Sequence, residues 1–251
     1  MVLSHSKLST YFHCPCCYHL QYVLGVKSKY EKYNLVFGSL LHALLEHNPK
    51  NTIDAMDIID LELEEVGTIE KRKDGKNIIV SKQQIKSDLM KMAMLAIDTE
   101  LEFDGKKLGY KEIEKEIYMP YGDHVIRGFL DGISTDEHII EHKTSSVKYT
   151  QDSIKEKHQH VIYEMLYRFQ YGKPSNGVLY DVFYKKANPV REIIKVNVTD
   201  EDIKRTTKWI DSIVNGIENE IFTPNVINNP HFCDYKELCP YCQNKRLFNY
   251  G

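Results

Sequence analysis

Two strings near the middle of the chain determine how its fold is interpreted: Gly128-Phe129-Leu130-Asp131-Gly132 and Ile139-Ile140-Glu141-His142-Lys143-Thr144. Residues two positions apart on a β-strand point to the same face, so Glu141 and Lys143 share one face. A hairpin between the strings would bring Asp131 beside Glu141. Two carboxylates suit Mg²⁺ or Mn²⁺, and a neighbouring ammonium group can act on an attacking water. The pattern predicts a site for metal-assisted hydrolysis.

A simpler interpretation of these residues is also open. An edge strand can carry an acid and a lysine on its solvent-exposed face, where they form a cross-strand pair. Against this, the pair follows Ile139-Ile140, and charged side chains buried without a purpose are costly. Taken alone, the two strings allow either interpretation.

The hydrophobic periodicity around these strings predicts a sheet with helices packed on it. Apolar residues alternate with polar ones from Ile113 onward, through Ile117 and Met119, and this indicates β-strands. The predicted strands cover residues 111–119, 124–133, 138–143, 177–185 and 191–197. Helical spacing predicts helices over residues 36–47, 90–101 and 151–171 and from residue 199 or 200 onward. This order of elements is typical of an α/β or α+β fold.

The composition excludes several classes of protein. The chain has 251 residues, of which 42% are hydrophobic and 27% charged, as expected for one large or two small globular domains. No apolar run is long enough to span a bilayer, and the N-terminus lacks the pattern of a signal peptide. We therefore expect an intracellular, cytoplasmic protein. The net charge of -3 neither supports nor excludes a local cationic groove for nucleic acid.

The six cysteines lie at the two ends of the chain. Their positions are Cys14, Cys16, Cys17, Cys233, Cys239 and Cys242. Disulfides are rare in a reducing compartment, so the clustering favours a metal site. Four thiolates from the two ends could hold a [4Fe-4S] cluster or a zinc ion. The string Cys239-Pro240-Tyr241-Cys242 also matches a redox dithiol, but its position near the C-terminus disfavours that interpretation.

Five strings occur in an order that resembles RecB-type nucleases of the PD-(D/E)XK superfamily, a group that includes the CRISPR-associated iron–sulfur exonuclease. The strings are Ser6-x-x-Ser9-x-Tyr11-x-x-Cys14-Pro15, Phe37-Gly38-Ser39-Leu40-Leu41-His42, Gly128-Phe129-Leu130-Asp131-Gly132, Ile140-Glu141-His142-Lys143-Thr144-Ser145 and Gln159-x-x-x-Tyr163. Each string alone is weak evidence, whereas the ordered set covers most of the chain and is specific.

The resemblance implies a fold and a domain organisation. It implies an α/β, restriction-endonuclease-like fold in which helices flank a mixed central β-sheet. A cysteine-ligated cluster would join the N- and C-terminal segments. We expect a single nuclease domain over residues 1–251, with a helical insertion at 50–108 and cysteine segments at 14–17 and 233–242.

The resemblance also implies roles for individual residues. Asp131, Glu141 and Lys143 would be catalytic. The metal ligands would be His42, Asp131, Glu141 and the backbone carbonyl of His142, and the imidazole favours Mn²⁺ over Mg²⁺. Gln159 and Tyr163 would contact DNA and steady the lysine. Without the other motifs, His42 would be interpreted as a hydrogen-bonded histidine of the core. Tyr163 would be interpreted as a structural residue at the edge of the core. We interpret Glu114 and Glu116 as solvated acids unless they face the site.

The cluster ligands implied by the resemblance are Cys14, Cys233, Cys239 and Cys242. The spacing departs from the family, because Pro230 stands where the first of three C-terminal cysteines is expected. Cys242 could replace that cysteine, or Cys16 or Cys17 could add a second N-terminal ligand. Zinc is the alternative to iron–sulfur.

The expected function is that of a Mg²⁺- or Mn²⁺-dependent DNA exonuclease. Its substrate would be DNA that is single-stranded or has free ends, in repair, recombination, viral replication or CRISPR adaptation. The sequence has no G-x-x-x-x-G-K-[ST] string, so a helicase or recombination partner would be a separate chain. The alternative is a DNA-binding or assembly subunit with the same fold that does not cut. A zinc-stabilised or redox protein is a third hypothesis.

Overall fold

The structure is a computed structural model of the chain. It describes residues 1–73 and 76–225, together with Cys233, Tyr235, Leu238, Cys239 and Cys242. The chain divides into two compact units. The terminal unit comprises Met1–Lys29, Pro120–Arg127 and Asp200–Gly251, and the sheet unit comprises Tyr30–Met119 and Gly128–Thr199.

The secondary structure alternates between helices and strands along the chain. The strands are β1 (Val2–Leu3), β2 (Glu31–Lys32), β3 (Ile69–Lys73), β4 (Lys76–Val80), β5 (Glu102–Phe103), β6 (Lys106–Lys107), β7 (Tyr110–Tyr121), β8 (His124–Ser134), β9 (Ile139–Ser145), β10 (Val178–Tyr184) and β11 (Val190–Val196). The α-helices are α1 (His5–His13), α2 (Pro15–Tyr18), α3 (Tyr33–His47), α4 (Thr52–Glu64), α5 (Lys82–Asp98), α6 (Gln151–Lys155), α7 (Gln159–Tyr171) and α8 (Asp200–Glu218), and a π-helical segment covers His19–Val23.

The largest sheet has the strand order β1-β8-β9-β10-β11, and β7 pairs with β8. Strand β9 runs antiparallel to β8 and parallel to β10, while β10 runs antiparallel to β11. Within the terminal unit, β1 pairs in parallel with the start of β8. The sheet is therefore mixed and helices flank it, which confirms the predicted fold class. None of the helices in the described residues combines the length and apolar composition needed to cross a membrane.

Strand β7 departs from the predicted alternation. Ile117 and Met119 are buried, but Ile113, which would lie on the same face in a regular strand, is 43% exposed. Glu114 has a positive φ of 47°, and both Glu114 and Lys115 are half-buried. Two consecutive inward residues mark a β-bulge, which shifts the phase of the alternation by one residue.

Helices α3, α4 and α5 form an apolar core in the sheet unit. Phe37, Leu41, Ile59 and Leu89 are almost completely buried there, together with Phe183 from β10. Each such side chain stabilises the fold by about 1.5–3 kcal/mol relative to an exposed position. The predicted helices over 36–47 and 90–101 correspond to α3 and to the end of α5. Residues 50–108 also contain four short strands.

The predicted helix over residues 151–171 is two helices in the structure. Thr150 and Ser153 form a capping box that begins α6, and α6 ends at Lys155. Helix α7 begins at Gln159 and ends at the left-handed C-cap Gly172, whose φ is 69°. The helical periodicity continues across the interruption, which is why the sequence did not reveal it. The interruption places Gln159 in the first turn of α7.

The terminal unit packs α8 against α1. Helix α8 buries Ile210, Ile213 and Ile217 on one face. A Cβ on Gly216 would lie only 2.3 Å from the hydroxyl of Tyr11, so a glycine permits this close approach. The same hydroxyl donates a hydrogen bond to the carbonyl oxygen of Ile221 at 2.7 Å. This hydrogen bond fixes the chain beyond α8 against α1.

Candidate functional site

The hairpin of β8 and β9 brings the two predicted carboxylates together. Gly132 pairs with Ile140, which places Asp131 and Glu141 on neighbouring strands. The backbone N–H of His142 donates a hydrogen bond to Oδ2 of Asp131 at 2.7 Å. Both carboxylates are buried, with relative exposures of 7% for Asp131 and 1% for Glu141. The register of the strands therefore fixes the pair.

The glycines beside Asp131 allow neighbouring elements to approach it closely. A Cβ on Gly128 would lie 2.3 Å from Leu166 on α7, and one on Gly132 would lie 2.6 Å from the ring of Tyr110 on β7. Neither glycine has a positive φ, so the reason for glycine at both positions is space rather than backbone conformation. These glycines let α7 and β7 pack against the strand that carries the carboxylate.

Helix α3 brings His42 to the same place. Its Nε2 atom lies 3.1 Å from the carbonyl oxygen of His142, and its Nδ1 atom lies 3.5 Å from Oδ1 of Asp131. Burial, with the charges of His142 and Lys143, lowers the pKa of His42 to about 4. The imidazole is therefore neutral at physiological pH, which is the form that binds a metal ion.

The two oxygen atoms of Glu141 have different environments. Oε1 forms an ion pair with Lys143 and accepts a hydrogen bond from Nε2 of Gln159 at 2.7 Å. Oε2 is buried and has no hydrogen-bond partner in the described parts of the chain. A buried carboxylate oxygen without a donor is unfavourable unless a cation binds it.

Lys143 pairs with Glu141 and is charged. Burial opposes its charge, but the carboxylates of Glu141 and Asp131 outweigh burial and raise the pKa of Lys143. Burial and the charge of Glu141 also raise the pKa of Asp131 well above its usual value. The two carboxylates therefore repel each other, and one lysine does not fully compensate their charge.

Gln159 and Tyr163 lie beside this group, one helical turn apart on α7. The amide of Gln159 donates hydrogen bonds both to Glu141 and to the hydroxyl of Tyr163, the latter at 3.0 Å. Tyr163 is 9% exposed, and burial raises its pKa well above the usual value. The structure thus brings His42, Asp131, Glu141, Lys143, the His142 carbonyl, Gln159 and Tyr163 together in the sheet unit.

Glu114 is a functional candidate that the sequence analysis missed. One ligand atom each of His42, Glu114 and Asp131 lie within 4.8 Å of one another. Burial and the charges of Glu46 and Glu141 raise the pKa of Glu114. The interpretation of Glu114 as a solvated acid was therefore wrong, because the bulge in β7 turns this side chain inward. The signal in the sequence was a break in alternation, Ile113-Glu114-Lys115-Glu116-Ile117, which periodicity alone does not locate.

His142 is held from the reverse face of β9. Its Nδ1 atom lies 2.8 Å from Oδ2 of Asp181 on β10, and its Nε2 atom lies 3.2 Å from the hydroxyl of Tyr110. Arg191 donates two hydrogen bonds to Asp181, at 2.7 and 2.8 Å, and a third to the carbonyl oxygen of Thr99 at 2.6 Å. Burial opposes ionisation of Asp181, but His142 and Arg191 outweigh it and lower its pKa. This network anchors the residue whose backbone contacts both Asp131 and His42.

The donor set fits a divalent cation. It combines a neutral imidazole, buried carboxylates in mutual repulsion, a backbone carbonyl and an oxygen without a donor. Oxygen and imidazole donors suit Mn²⁺ and Mg²⁺ better than soft metals. The arrangement can therefore bind a cation next to a charged lysine.

In the terminal unit, all six cysteines are free thiols that share one apolar cluster. The sulfur atoms of Cys233, Cys239 and Cys242 lie within 4.8 Å of one another. Cys17 connects the two ends of the chain, because its sulfur lies 3.9 Å from that of Cys233. Cys16 and Cys239, which come from opposite ends of the chain, are both buried in this cluster.

Two of these thiols are polarised toward thiolate. A hydrogen bond with Cys17, followed by one from the backbone N–H of Asn225, lowers the pKa of Cys14 to about 5. A hydrogen bond with Cys17 also lowers the pKa of Cys233 to about 6. Burial raises the pKa of Cys16 to about 12. Thiolates are the form that binds metal, so this cluster fits a thiophilic metal group. Pro230 and the Pro240-Tyr241 pair lie outside the described residues.

Comparisons with known proteins identify the family and the fold of the chain. The profile of the PD-(D/E)XK nuclease superfamily matches residues 2–240. A crystal structure of a protein from Eubacterium rectale, provisionally described as an exonuclease, matches with a TM-score of 0.59 and 12% identity over 98% of this chain and 88% of that chain. This likeness shows the fold alone. The crystal structure of SSO0001 matches with a TM-score of 0.37 and 15% identity, over 94% of this chain and 92% of that one. That score is too low to support an argument. No curated protein matches significantly.

Proposed function

Because the chain belongs to the PD-(D/E)XK nuclease superfamily, we propose that it is a metal-dependent DNA exonuclease. The observation that carries the proposal is the buried Oε2 atom of Glu141, which has no partner among the described residues although Asp131 repels the same carboxylate. A structural carboxylate pair would be expected to acquire donors, whereas a pair that binds a cation keeps an oxygen available for it.

In this proposal, His42, Asp131, Glu141 and the carbonyl of His142 hold a Mg²⁺ or Mn²⁺ ion, and Glu114 is a further acidic ligand. Such an ion would polarise the phosphodiester and make a bound water more acidic. The residues themselves prepare the site before an ion binds, because His142 positions both Asp131 and His42.

Lys143 has a distinct role in this proposal. Since the carboxylates raise its pKa, it is protonated at neutral pH and acts as a donor rather than as a base. It orients the attacking water and stabilises the negative charge that develops on the phosphoryl oxygens. Gln159 shares Oε1 of Glu141 with Lys143 and so restricts where the ammonium group can lie. Tyr163 supports Gln159 from the next turn of α7.

The experiment compares degradation of end-labelled linear DNA, single-stranded and double-stranded, by the wild type, Asp131→Ala and Lys143→Ala with Mn²⁺ or Mg²⁺. We expect cleavage by the wild type alone, and closed circular DNA separates exonuclease from endonuclease activity. Equal degradation by all three proteins would exclude the proposal. Tight DNA binding without cleavage in any metal would favour the alternative, a DNA-binding or assembly subunit with this fold.

We further propose that the thiol cluster binds a structural [4Fe-4S] group, with zinc as the alternative. The ligand set implied by the resemblance is Cys14, Cys233, Cys239 and Cys242, and Cys17 is an additional candidate because it contacts Cys233. Anaerobic purification followed by iron, sulfide and zinc analysis distinguishes the two groups. One zinc per chain without iron or sulfide would contradict the iron–sulfur assignment.

The substrate and setting follow from the same proposal. DNA that is single-stranded or has free ends would enter the site, inside the cell, during repair, recombination, viral replication or CRISPR adaptation. A helicase or recombination protein would act as a separate partner. The tagged chain can be purified from extracts with and without prior nuclease treatment. A partner that co-purifies from both extracts binds directly, and one that is lost after nuclease treatment binds through DNA.

A further inference from the structure

Two half-buried lysines of the sheet unit lie over two adjacent aromatic rings, those of Tyr33 and Phe37, whose centroids are 5.7 Å apart. They are Lys71 on β3 and Lys185, which directly follows β10. Burial and the nearby charge of Lys71 lower the pKa of Lys185. Neither lysine forms an ion pair with a carboxylate in the described parts of the chain. Two half-buried ammonium groups on adjacent rings repel each other, and an anion bound between them would relieve this repulsion.

The contacts that the described residues make with these two ammonium groups come from neutral side chains. Nζ of Lys185 donates a hydrogen bond to Oδ1 of Asn34 at 2.9 Å and lies 4.9 Å from the ring centroid of Phe37. Nζ of Lys71 lies 4.0 Å from the ring centroid of Tyr33. Cation–π contacts orient an ammonium group without neutralising its charge. These contacts therefore orient the pair without supplying a negative charge.

The strands place Lys185 near the catalytic lysine. In the parallel pair of β9 and β10, Lys143 is aligned with Val182. The backbone N–H of Lys185 donates a hydrogen bond to the carbonyl oxygen of Ser145 at 2.7 Å. Lys185 is three positions after Val182, which corresponds to about 10 Å along the strand.

Helix α3 gives a second, independent measure of the distance. It carries Asn34, the partner of Lys185, and His42, the partner of Asp131. Eight residues separate Asn34 from His42, which corresponds to a rise of about 12 Å. Gly38 lies midway, and a Cβ there would be 3.9 Å from Oγ1 of Thr144 on β9. The cationic pair and the metal-binding residues are thus connected by one helix and one strand pair.

We propose that Lys71 and Lys185 together bind one backbone phosphate of the DNA strand, about three nucleotides from the bond that is cut, given about 3.4 Å per stacked nucleotide. This proposal rests on the proposed function for the identity of the strand. Sequence-independent contacts of this kind position the strand and add affinity that depends on salt.

The test is equilibrium binding of a fluorescein-labelled single-stranded 20-nucleotide oligomer, measured by fluorescence anisotropy in EDTA across a series of KCl concentrations. For Lys71→Gln/Lys185→Gln we expect affinity to fall about tenfold at low salt. The slope of log affinity against log salt should become less steep by about 0.7, the value for one phosphate contact on a single strand.

Two further double variants serve as controls. Lys91→Gln/Lys106→Gln removes the same charge at two exposed positions of the sheet unit, and we expect the wild-type slope. Lys71→Arg/Lys185→Arg keeps the charge and should keep the slope. A wild-type slope for the Gln double variant, or an equal loss for the surface control, would overturn the proposal. If the Gln double variant does not melt like the wild type, Lys71→Gln alone is measured, and an unchanged affinity would overturn the proposal equally.

Because the assay contains no metal, it separates this proposal from the proposed function. A wild type that does not cut DNA, but loses affinity in the Gln double variant, would refute the nuclease and support the phosphate site. If the wild type cuts DNA and the Gln double variant keeps the wild-type slope, the nuclease is supported and the phosphate site is refuted.

Discussion

The carboxylate site of the sheet unit and the thiol cluster of the terminal unit are assembled in different ways. Asp131, Glu141 and Lys143 lie on one hairpin, and backbone hydrogen bonds fix them in place. The thiols come from the two ends of the chain, and Cys17 and Cys233 are 216 residues apart. Their interactions are mainly with one another.

This difference predicts how each site responds to change. Strand register and hydrogen bonds hold the carboxylate site in place before an ion binds. A substitution there can therefore lower the cleavage rate without lowering the stability of the fold. If the thiol cluster binds the proposed metal group, that group connects two distant segments, and its loss should be coupled to unfolding there. The following predictions test that contrast.

The largest effect is expected from Asp131→Asn. The variant should lose about 10²–10⁴-fold in DNA cleavage rate, because the cation would lose a charged ligand. Its metal-free melting temperature should rise, because burial and Glu141 disfavour the Asp131 charge in the folded state. Cleavage kinetics and calorimetry in EDTA measure the two effects. Glu116→Gln is the control, and a lower melting temperature for Asp131→Asn would argue that this carboxylate is structural.

Cys17→Ala should reduce stability far more than it reduces the intrinsic cleavage rate. Loss of a metal-bridged contact between the chain ends should lower the melting temperature by about 10 °C, equivalent to several kcal/mol for a chain of this size. Thermal unfolding with and without a chelator tests this. In the variant the chelator should have little further effect. If the chelator lowers the melting temperature of wild type and variant equally, Cys17 does not contribute to metal binding.

Asp181→Asn should weaken Mn²⁺ binding by about 10–100-fold, the range typical of residues that support metal ligands. The reason is that Asp181 holds the His142 ring, while the backbone of His142 contacts Asp131 and His42. Calorimetric titration measures the affinity, and excess Mn²⁺ should restore cleavage. Lys143→Ala is the matched comparison, because extra metal should not restore it. A loss of activity in Asp181→Asn that Mn²⁺ does not reverse would contradict a positioning role.

Glu114→Gln should weaken Mn²⁺ binding by about tenfold and stabilise the metal-free protein. Both effects follow because the bulge brings a third acid near Asp131 and His42, where burial and Glu46 disfavour its charge. Glu116→Gln, on the same strand, should change neither quantity. Equal metal affinity in the two variants would remove Glu114 from the ligand set.

A further effect concerns the pH dependence of the folding free energy and acts through His42. In the unfolded chain this histidine takes up a proton near pH 6.5, whereas in the metal-free folded protein its pKa is about 4. Between these values the unfolded state binds the extra proton, so stability falls as pH falls from 6.5 to 4. His42→Gln should remove about 3 kcal/mol of this loss, at roughly 1.4 kcal/mol per pKa unit. Urea unfolding in EDTA at several pH values tests the prediction, and identical pH profiles would contradict the burial of a neutral His42.

The sequence predicted the parts of the site that are encoded locally. Asp131, Glu141 and Lys143 lie on one hairpin, so two-residue periodicity is enough to place them. Glu114 and Asp181 could not be found in this way. A bulge changes the phase of alternation without a distinctive composition, and the parallel pairing of β9 with β10 is a long-range choice that no local pattern specifies. The interruption before Gln159 was missed because helical periodicity continues across it.

The contact between Cys17 and Cys233 has a practical consequence for anyone who purifies this protein in air. If the metal is lost, dissolved oxygen can oxidise neighbouring thiols, and the low pKa of Cys233 provides the reactive thiolate. A covalent bond between residues 216 positions apart would restrict the unfolded chain and stabilise the fold by about 5 kcal/mol. Such a preparation would be firmly folded yet lack its metal. A high melting temperature is therefore no evidence that the metal is present, and the intact mass, lower by two hydrogen atoms, is the safer test.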